Sequence, residues 1–342
     1  MAVLTLGQPH EEALQTEVTD LGWRGRTSYP KLVWNLMWQM RSQRYDAIMA
    51  FGLFPNLVSI VAFILAGGDT KLIINEITRP EIEAKFGRGR VYYFLRQRLY
   101  AYGSLITATS IDGLTETCRL AAIPVESGVR VVQVIDRESI DKKALGKLEV
   151  KIPQGNFVVF VARLDFMKRA DTVIEAFSLL AERTDCQLVI VGDGKARSAL
   201  ESQVERLSLQ DRVQFTGWLN NPFPVLVQAS ASVLASEYEG FSNSVLEAMF
   251  SDIPVITSYC SSDAREMCDK GAALGFEVGD YKLLAEHIAN VIADKALSDK
   301  LIRCARAYRR PHALENAIPF YEDLIRKVVS SNRDLPGSVQ KL

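Results

Sequence analysis

Histidine is scarce in this sequence: of 342 residues only His10, His287 and His312 are histidine, and none lies near a cysteine at metal-ligand spacing. They are read as surface or packing residues. The five cysteines (Cys118, Cys186, Cys260, Cys268, Cys304) are scattered, with no CxxC pair, which excludes a disulfide framework and points to reduced thiols in the cytoplasm. An excess of one charge is also missing. Lys plus Arg is 40 and Asp plus Glu is 41, and a net charge of −1 speaks against a dedicated nucleic-acid binder. The longest apolar run, Leu57 to Ala66, is interrupted by Ser59 and falls short of the ~20 residues a bilayer span needs, so a buried helix is expected there. The opening residues do not read as a signal peptide. No GxGxxG follows a strand; Gly192-Asp193-Gly194 is too short a fragment, which leaves little for a dehydrogenase.

What is present is a regular alternation. Apolar residues make 48% of the chain, enough for ordinary cores, and at roughly 150 residues per domain the length favours two domains. Short runs such as 47–51, 71–75, 105–109, 129–134, 157–162, 188–191, 213–216, 232–235 and 254–257 read as buried strands. Helical patterns at 30–44, 171–183, 196–208 and 282–293 lie between them. Strands of this kind separated by helices predict parallel sheets covered on both faces, each half a doubly wound, Rossmann-like layer. The charged stretch 137–156 interrupts the alternation and is the natural boundary. The expected organisation is therefore 1–140, 141–318, and a last helix at 319–342 crossing back. Strand-to-helix loops of both halves would line a cleft.

The segment from Ser236 carries the most chemistry. A strand runs into Ser236-Glu237-Tyr238-Glu239-Gly240-Phe241, and a helix starts near Ser242 or Asn243, both good N-cap residues. Gly240 allows close approach of the backbone, and the first helix amides, around Phe241 to Ser244, form a ready diphosphate site. Glu247 follows Asn243 by one turn and can accept hydrogen bonds from a ribose diol, with Glu239 on the other side of the phosphates. By spacing alone the two carboxylates read equally well as loop surface and an ordinary helix face.

Taken in order, the motifs resemble a family. Glu239-Gly240-Phe241-Ser242-Asn243 with Glu247, followed by Ile253-Pro254-Val255-Ile256-Thr257, closely resembles the E-x7-E signature of the retaining GT-B glycosyltransferases of family 4. Arg163-Leu164 with Lys168 resembles its phosphate clamp. Leu188 to Gly194, Asp211-Arg212-Val213 with Gly217-Trp218, Asp263 to Glu266 and Val278-Gly279-Asp280 follow in the family's order, covering residues 157–330 well and the first half loosely. The resemblance implies an α/β GT-B fold of two Rossmann-like domains. It also implies that Arg163 and Lys168 neutralise the leaving diphosphate, that Glu239 binds the transferred sugar and Glu247 the ribose, and that Gly217 and Trp218 flank the base. It implies no metal and no cofactor, in keeping with the lack of an Asp-x-Asp loop. Three departures stand out: Arg169 where the family commonly has Gly, Ser251-Asp252 in place of a small-Gly pair, and Gln133-Val134 within the hinge-like element.

The first half resembles the family less. Residues 2–6 and 17–22 look like its second and third strands, so the first strand and its Gly-rich loop are missing. A truncated or remodelled N-terminal domain is expected. Glu76, after a strand, is a candidate for orienting the acceptor, or part of a helix N-cap. Residues 84–111 hold five basic and no acidic residues. The Lys85–Arg98 stretch reads either as an anionic-membrane contact or as a helix packed through Tyr92, Leu95 and Leu99. The expected function is transfer of a sugar from a UDP-linked donor to a glycan or glycolipid acceptor in cell-surface polysaccharide synthesis, by an enzyme of the cytoplasm or the inner membrane face. A nucleotide-sugar epimerase and a nucleotide-binding protein without turnover are the alternatives.

Overall fold

A computed structural model describes residues 3–5, 18–20, 29–43, 45–85, 89–180 and 184–331. The chain divides into two compact units, Met1–Val131 with Phe320–Leu342, and Val132–Pro319.

In the first unit, β1 (Val3–Thr5) and β2 (Val18–Asp20) pair in parallel as a separate ribbon. There follow α1 (Tyr29–Gln43), β3 (Ala47–Phe51), α2 (Leu53–Ala66), β4 (Lys71–Glu76), α3 (Pro80–Glu83), α4 (Gly89–Leu99), β5 (Leu105–Ala108), α5 (Ile111–Leu120) and β6 (Val129–Arg130). Strands β3 to β6 form a parallel sheet in that order. Side chains alternate across β4: Leu72 and Ile74 pack with Ile60 of α2 and Tyr100, whereas Ile73 faces the other way. The run 57–66 is not the wholly buried helix expected, because Phe54, Ile64 and Leu65 of α2 are exposed.

The second unit contains α6 (Arg137–Ala144), β7 (Phe157–Val161), α7 (Ala170–Leu180), β8 (Gln187–Val191), α8 (Arg197–Arg206), β9 (Val213–Gly217), α9 (Phe223–Leu226), β10 (Ala231–Leu234), α10 (Asn243–Phe250), β11 (Val255–Ser258), α11 (Ser262–Asp269), β12 (Leu274–Phe276), α12 (Tyr281–Ala293) and α13 (Lys295–Arg309). Its sheet is parallel in the order β12-β11-β10-β7-β8-β9. Val158 and Phe160 face one buried cluster and Phe157 and Val159 the other, as a strand covered on both sides requires. β12 escapes a pattern search because it is three residues long and centred on Gly275. A Cβ there would meet the Tyr259 ring at 2.3 Å.

The unit boundary falls before the charged stretch rather than inside it, since Ile140 of α6 belongs to the second unit's core. The last helix, α14 (Leu314–Ser330), starts five residues earlier than the Pro319 start expected for it. Pro319 sits inside it, where the missing N–H deletes a rung of the ladder, and the division between units falls at that residue. Beyond Pro319, Leu324 and Val328 cover Ile73 and Leu105 of the first unit's sheet.

Candidate active site

In the second unit the sheet grows in opposite directions from β7 and β10, and open parallel sheets bind ligands in the crevice at such a switch point, beyond the strands' carboxyl ends. Two loops meet there. One leaves β7 through Arg163 and enters a tight 3-10 turn, Phe166–Lys168; the other leaves β10 through Ser236 and Glu239 and enters α10. The Glu237 amide donates to the Met167 carbonyl at 2.8 Å and ties the loops together. Lys168 Nζ meets Glu239 Oε1 at 2.5 Å, and Ser236 Oγ donates to the same oxygen at 2.7 Å. The Ser236 carbonyl in turn accepts from Ser258 Oγ at 2.7 Å. Both charged side chains are mostly shielded but still reachable. Their attraction is stronger than on an open surface, and a ligand can still meet them.

Arg163 is not drawn into this pair. It is 70% exposed and bonds to Asp165 of its own loop, so it meets a ligand only by leaving that carboxylate. α10 begins at Ser242, whose hydroxyl bonds to Ser244 Oγ at 3.0 Å instead of capping the helix, and the first amides stay free of a side-chain cap. Asn243 is exposed beside it. Gly240 lies in the bend just before the helix. The Phe241 ring leans on His312, with centroids 5.2 Å apart, and His312 Nδ1 bonds the Gln133 carbonyl at 2.9 Å; this histidine is a packing residue, as expected. His287 likewise bonds the Gly275 carbonyl, and His10 lies outside the described residues. Burial pushes the Cys260 thiol up to about 11, with the Glu239 carboxylate adding to it, which disfavours the thiolate.

At the far end of the row, Gly217 has a left-handed φ of 73° and Trp218 is 73% exposed. The loop after β8 packs close to both neighbours. A Cβ on Gly192 would sit 1.9 Å from the Ala162 carbonyl oxygen, so only glycine fits there. The loops after β10, β7, β8 and β9 thus stand side by side. Three strand spacings, about 14 Å, separate Glu239's end from Trp218's.

Glu247, half-buried on α10, has no hydrogen-bond donor on its carboxylate among the described residues. Burial pushes its pKa up, against the pull of Lys143. A carboxyl that holds its proton more tightly when folded favours the folded state below its unfolded pKa, and that contribution is lost as pH rises. Glu247→Gln should therefore raise the melting temperature by a few degrees at neutral pH. The gain should fade as pH drops through the ordinary carboxylate range, near 4.5. Thermal melts of both proteins at neutral and at acid pH check this; an unchanged melting temperature at neutral pH would rule out a destabilising buried carboxylate.

Two departures from the family pattern fall on left-handed backbone. Arg169 has φ 52° and Asp252 φ 57°, conformations that cost an L-residue about 1–2 kcal/mol. Each is held by charge. Arg169 forks onto Asp171, and Asp252 accepts from Arg306 at 2.8 Å and Arg309 at 2.9 Å, with Arg137 at 3.3 Å. A glycine expected at either position is the signal that marks them.

The first unit corrects two expectations. The Glu76 carboxylate is wholly buried: Arg96 Nε donates to it at 2.9 Å, Tyr100 Oη at 3.0 Å and Thr78 Oγ1 at 2.9 Å. It is consumed by this network and presents nothing to an acceptor. Nor does it cap the next helix, α3, whose N-cap residue is Arg79. Nor do all the described cations of the Lys85–Arg98 stretch face outward. Arg96 points inward to Glu76 and Glu83, while Arg98 lies over the Phe94 ring.

The two parallel sheets give the GT-B glycosyltransferase fold. Residues 143–308 match the model of the glycosyl transferases group 1. A Campylobacter jejuni N-acetylgalactosamine-N,N'-diacetylbacillosaminyl-diphospho-undecaprenol 4-alpha-N-acetylgalactosaminyltransferase is 28% identical over 82% of this chain and 77% of its own length. Among solved structures, a glycosyltransferase from Rickettsia africae superposes with a TM-score of 0.76 at 14% identity, covering 97% of this chain and 90% of that one. An Anabaena protein, HepE, in complex with UDP-glucose superposes at 0.69 with 21% identity, over 90% and 85%.

Proposed function

We propose that the chain transfers a sugar from a UDP-linked donor to a lipid-linked or glycan acceptor, with retention at the anomeric carbon and without a metal, in cell-surface polysaccharide or glycolipid synthesis. The observation that carries this reading is the Lys168–Glu239 pair at the switch point, directly before the uncapped start of α10. A leaving diphosphate gathers negative charge, and a fixed ammonium with helix amides is what stabilises it. Glu239, already an acceptor, takes sugar hydroxyls in place of Ser236. Arg163 swings from Asp165 to the phosphates. Glu247 holds the ribose, and Trp218, one nucleotide-sugar length away, offers a face to the base. Glu76 has no part.

The Anabaena complex with UDP-glucose and the diphospho-undecaprenol in the Campylobacter relative's name both favour a UDP donor and a lipid-linked acceptor here. That acceptor would place the reaction at the inner face of a membrane, with the chain on the cytoplasmic side.

A thermal-shift panel of UDP- and GDP-sugars identifies the donor, and product analysis with polyprenyl-diphosphate-linked sugars identifies the acceptor. A UDP-sugar should stabilise the protein, and transfer should persist with a chelator present. No stabilisation by any nucleotide sugar, or conversion of the donor without an acceptor, would reject the reading; the second result is that of an epimerase.

A further inference from the structure

The first unit carries a surface that the reaction above does not use. On α1, Leu32, Leu36, Met37 and Met40 face the core, and on the opposite side Lys31, Trp34, Trp38 and Arg41 form one stripe at i, i+3, i+7 and i+10. Trp34 is 60% exposed and Trp38 58%. The neighbouring helix runs alongside in parallel: Tyr29 stacks on Phe54 at one end, and Arg41 donates to the Leu65 and Ala66 carbonyls at the other. On α2 the exposed large side chains, Phe54, Ile64 and Leu65, are all apolar. Phe54 in turn meets Tyr92 of α4 edge-on.

Its charge is as one-sided as its polarity. Helices α1, α2 and α4 contain Lys31, Arg41, Arg90, Arg96 and Arg98 and not one Asp or Glu, in a chain whose net charge is −1. With Arg96 turned inside, four cations remain at the surface. Exposed tryptophans beside lysine and arginine, on helices that carry no carboxylate of their own, match the interfacial zone of an anionic bilayer: indoles settle at headgroup depth and cations pair with lipid phosphates. A second copy of this chain is a poor match, because a two-fold contact would set these cations against each other. No described helix is long and apolar enough to cross a membrane, so the contact is with the surface.

We propose that the outer faces of α1 and α2, anchored by Trp34 and Trp38, dock this protein onto anionic lipid. The proposal deepens the reading of a lipid-linked acceptor and takes its purpose from it, but its test is separate.

The full chain is sedimented with phosphatidylcholine vesicles, with and without phosphatidylglycerol, at low and at high salt. It should pellet with the anionic vesicles and be released by salt. The double variant Trp34→Ser/Trp38→Ser should lower the partition coefficient by at least about tenfold, with an unchanged melting temperature because both side chains are exposed. Lys31→Glu, a second variant, should lower it about fivefold while keeping both indoles. UDP binding should be the same in all three proteins. The proposal is overturned if the wild type ignores anionic vesicles, or if the double variant binds them equally well. It is equally overturned if the tryptophans instead support a concentration-dependent dimer that the double variant loses. Loss of UDP binding in the wild type would count against the proposed reaction and leave the vesicle result standing.

Discussion

Replacing Lys168 with alanine should cut kcat/KM for sugar transfer by about 10²–10³-fold, the loss typical of removing one preorganised group aimed at developing charge. Two consequences of the geometry make the effect large. The ammonium lies in a mostly shielded crevice against Glu239, where water substitutes for it poorly. Removing it also leaves the Glu239 carboxylate facing the donor with only Ser236 to moderate its charge, adding repulsion where attraction is needed. Most of the loss should appear in kcat, because diphosphate charge builds as the bond breaks. Arg163→Ala should cost roughly tenfold, less than Lys168→Ala, because its guanidinium must first leave Asp165. Steady-state kinetics with the matched donor checks both. A Lys168→Ala enzyme within threefold of wild-type kcat would take that residue out of the reaction.

The largest expected loss of stability is in the first unit. Arg96→Ala should destabilise it by about 3–5 kcal/mol, because breaking a buried pair strands the other charge. Neither Arg96 nor Glu76 has any exposed side-chain surface. Glu76 would keep Tyr100 and Thr78 as donors but lose its counter-charge. Burial first, and Glu76 second, push the Tyr100 phenol well above its ordinary range, so it stays a donor and cannot discharge the site. Arg96→Met with Glu76→Leu should be less damaging than Arg96→Ala alone, since neither partner is left charged. Urea unfolding followed by hydrogen exchange at β4 and β5 reads the first unit separately from the second. If Arg96→Ala loses less than 1 kcal/mol there, the pair is not holding the unit.

These outcomes also mark where sequence reading works. Most strands of the second unit are legible as short apolar runs, β12 being the exception, and the switch-point loops follow from strand order. Arg169 and Asp252 are legible as left-handed positions through the glycines they replace. Glu76 and Arg96 are not. Each looks like a functional surface charge in its own segment, and only their meeting, twenty residues apart in sequence, shows both to be internal. Trp34 and Trp38 escape notice for a related reason. Indoles on a helix usually point inward, and their outward direction depends on which face α2 covers. The Glu239–Lys168 contact spans 71 residues and is reached through the family pattern, not through local chemistry.

The helix that covers Ile73 and Leu105 has a consequence for how the protein is made. Those residues leave the ribosome well before Leu324 and Val328, which close over them. The second unit is continuous from Val132 to Pro319, so every strand of its sheet is available before that cover exists. Folding therefore finishes in the reverse of synthesis order. The half translated first waits, with one sheet face open, for the last helix, and for that interval it depends on whatever shields apolar surface in the cell. Truncation before Leu324 would remove more than a surface helix: it would leave that sheet face without its cover.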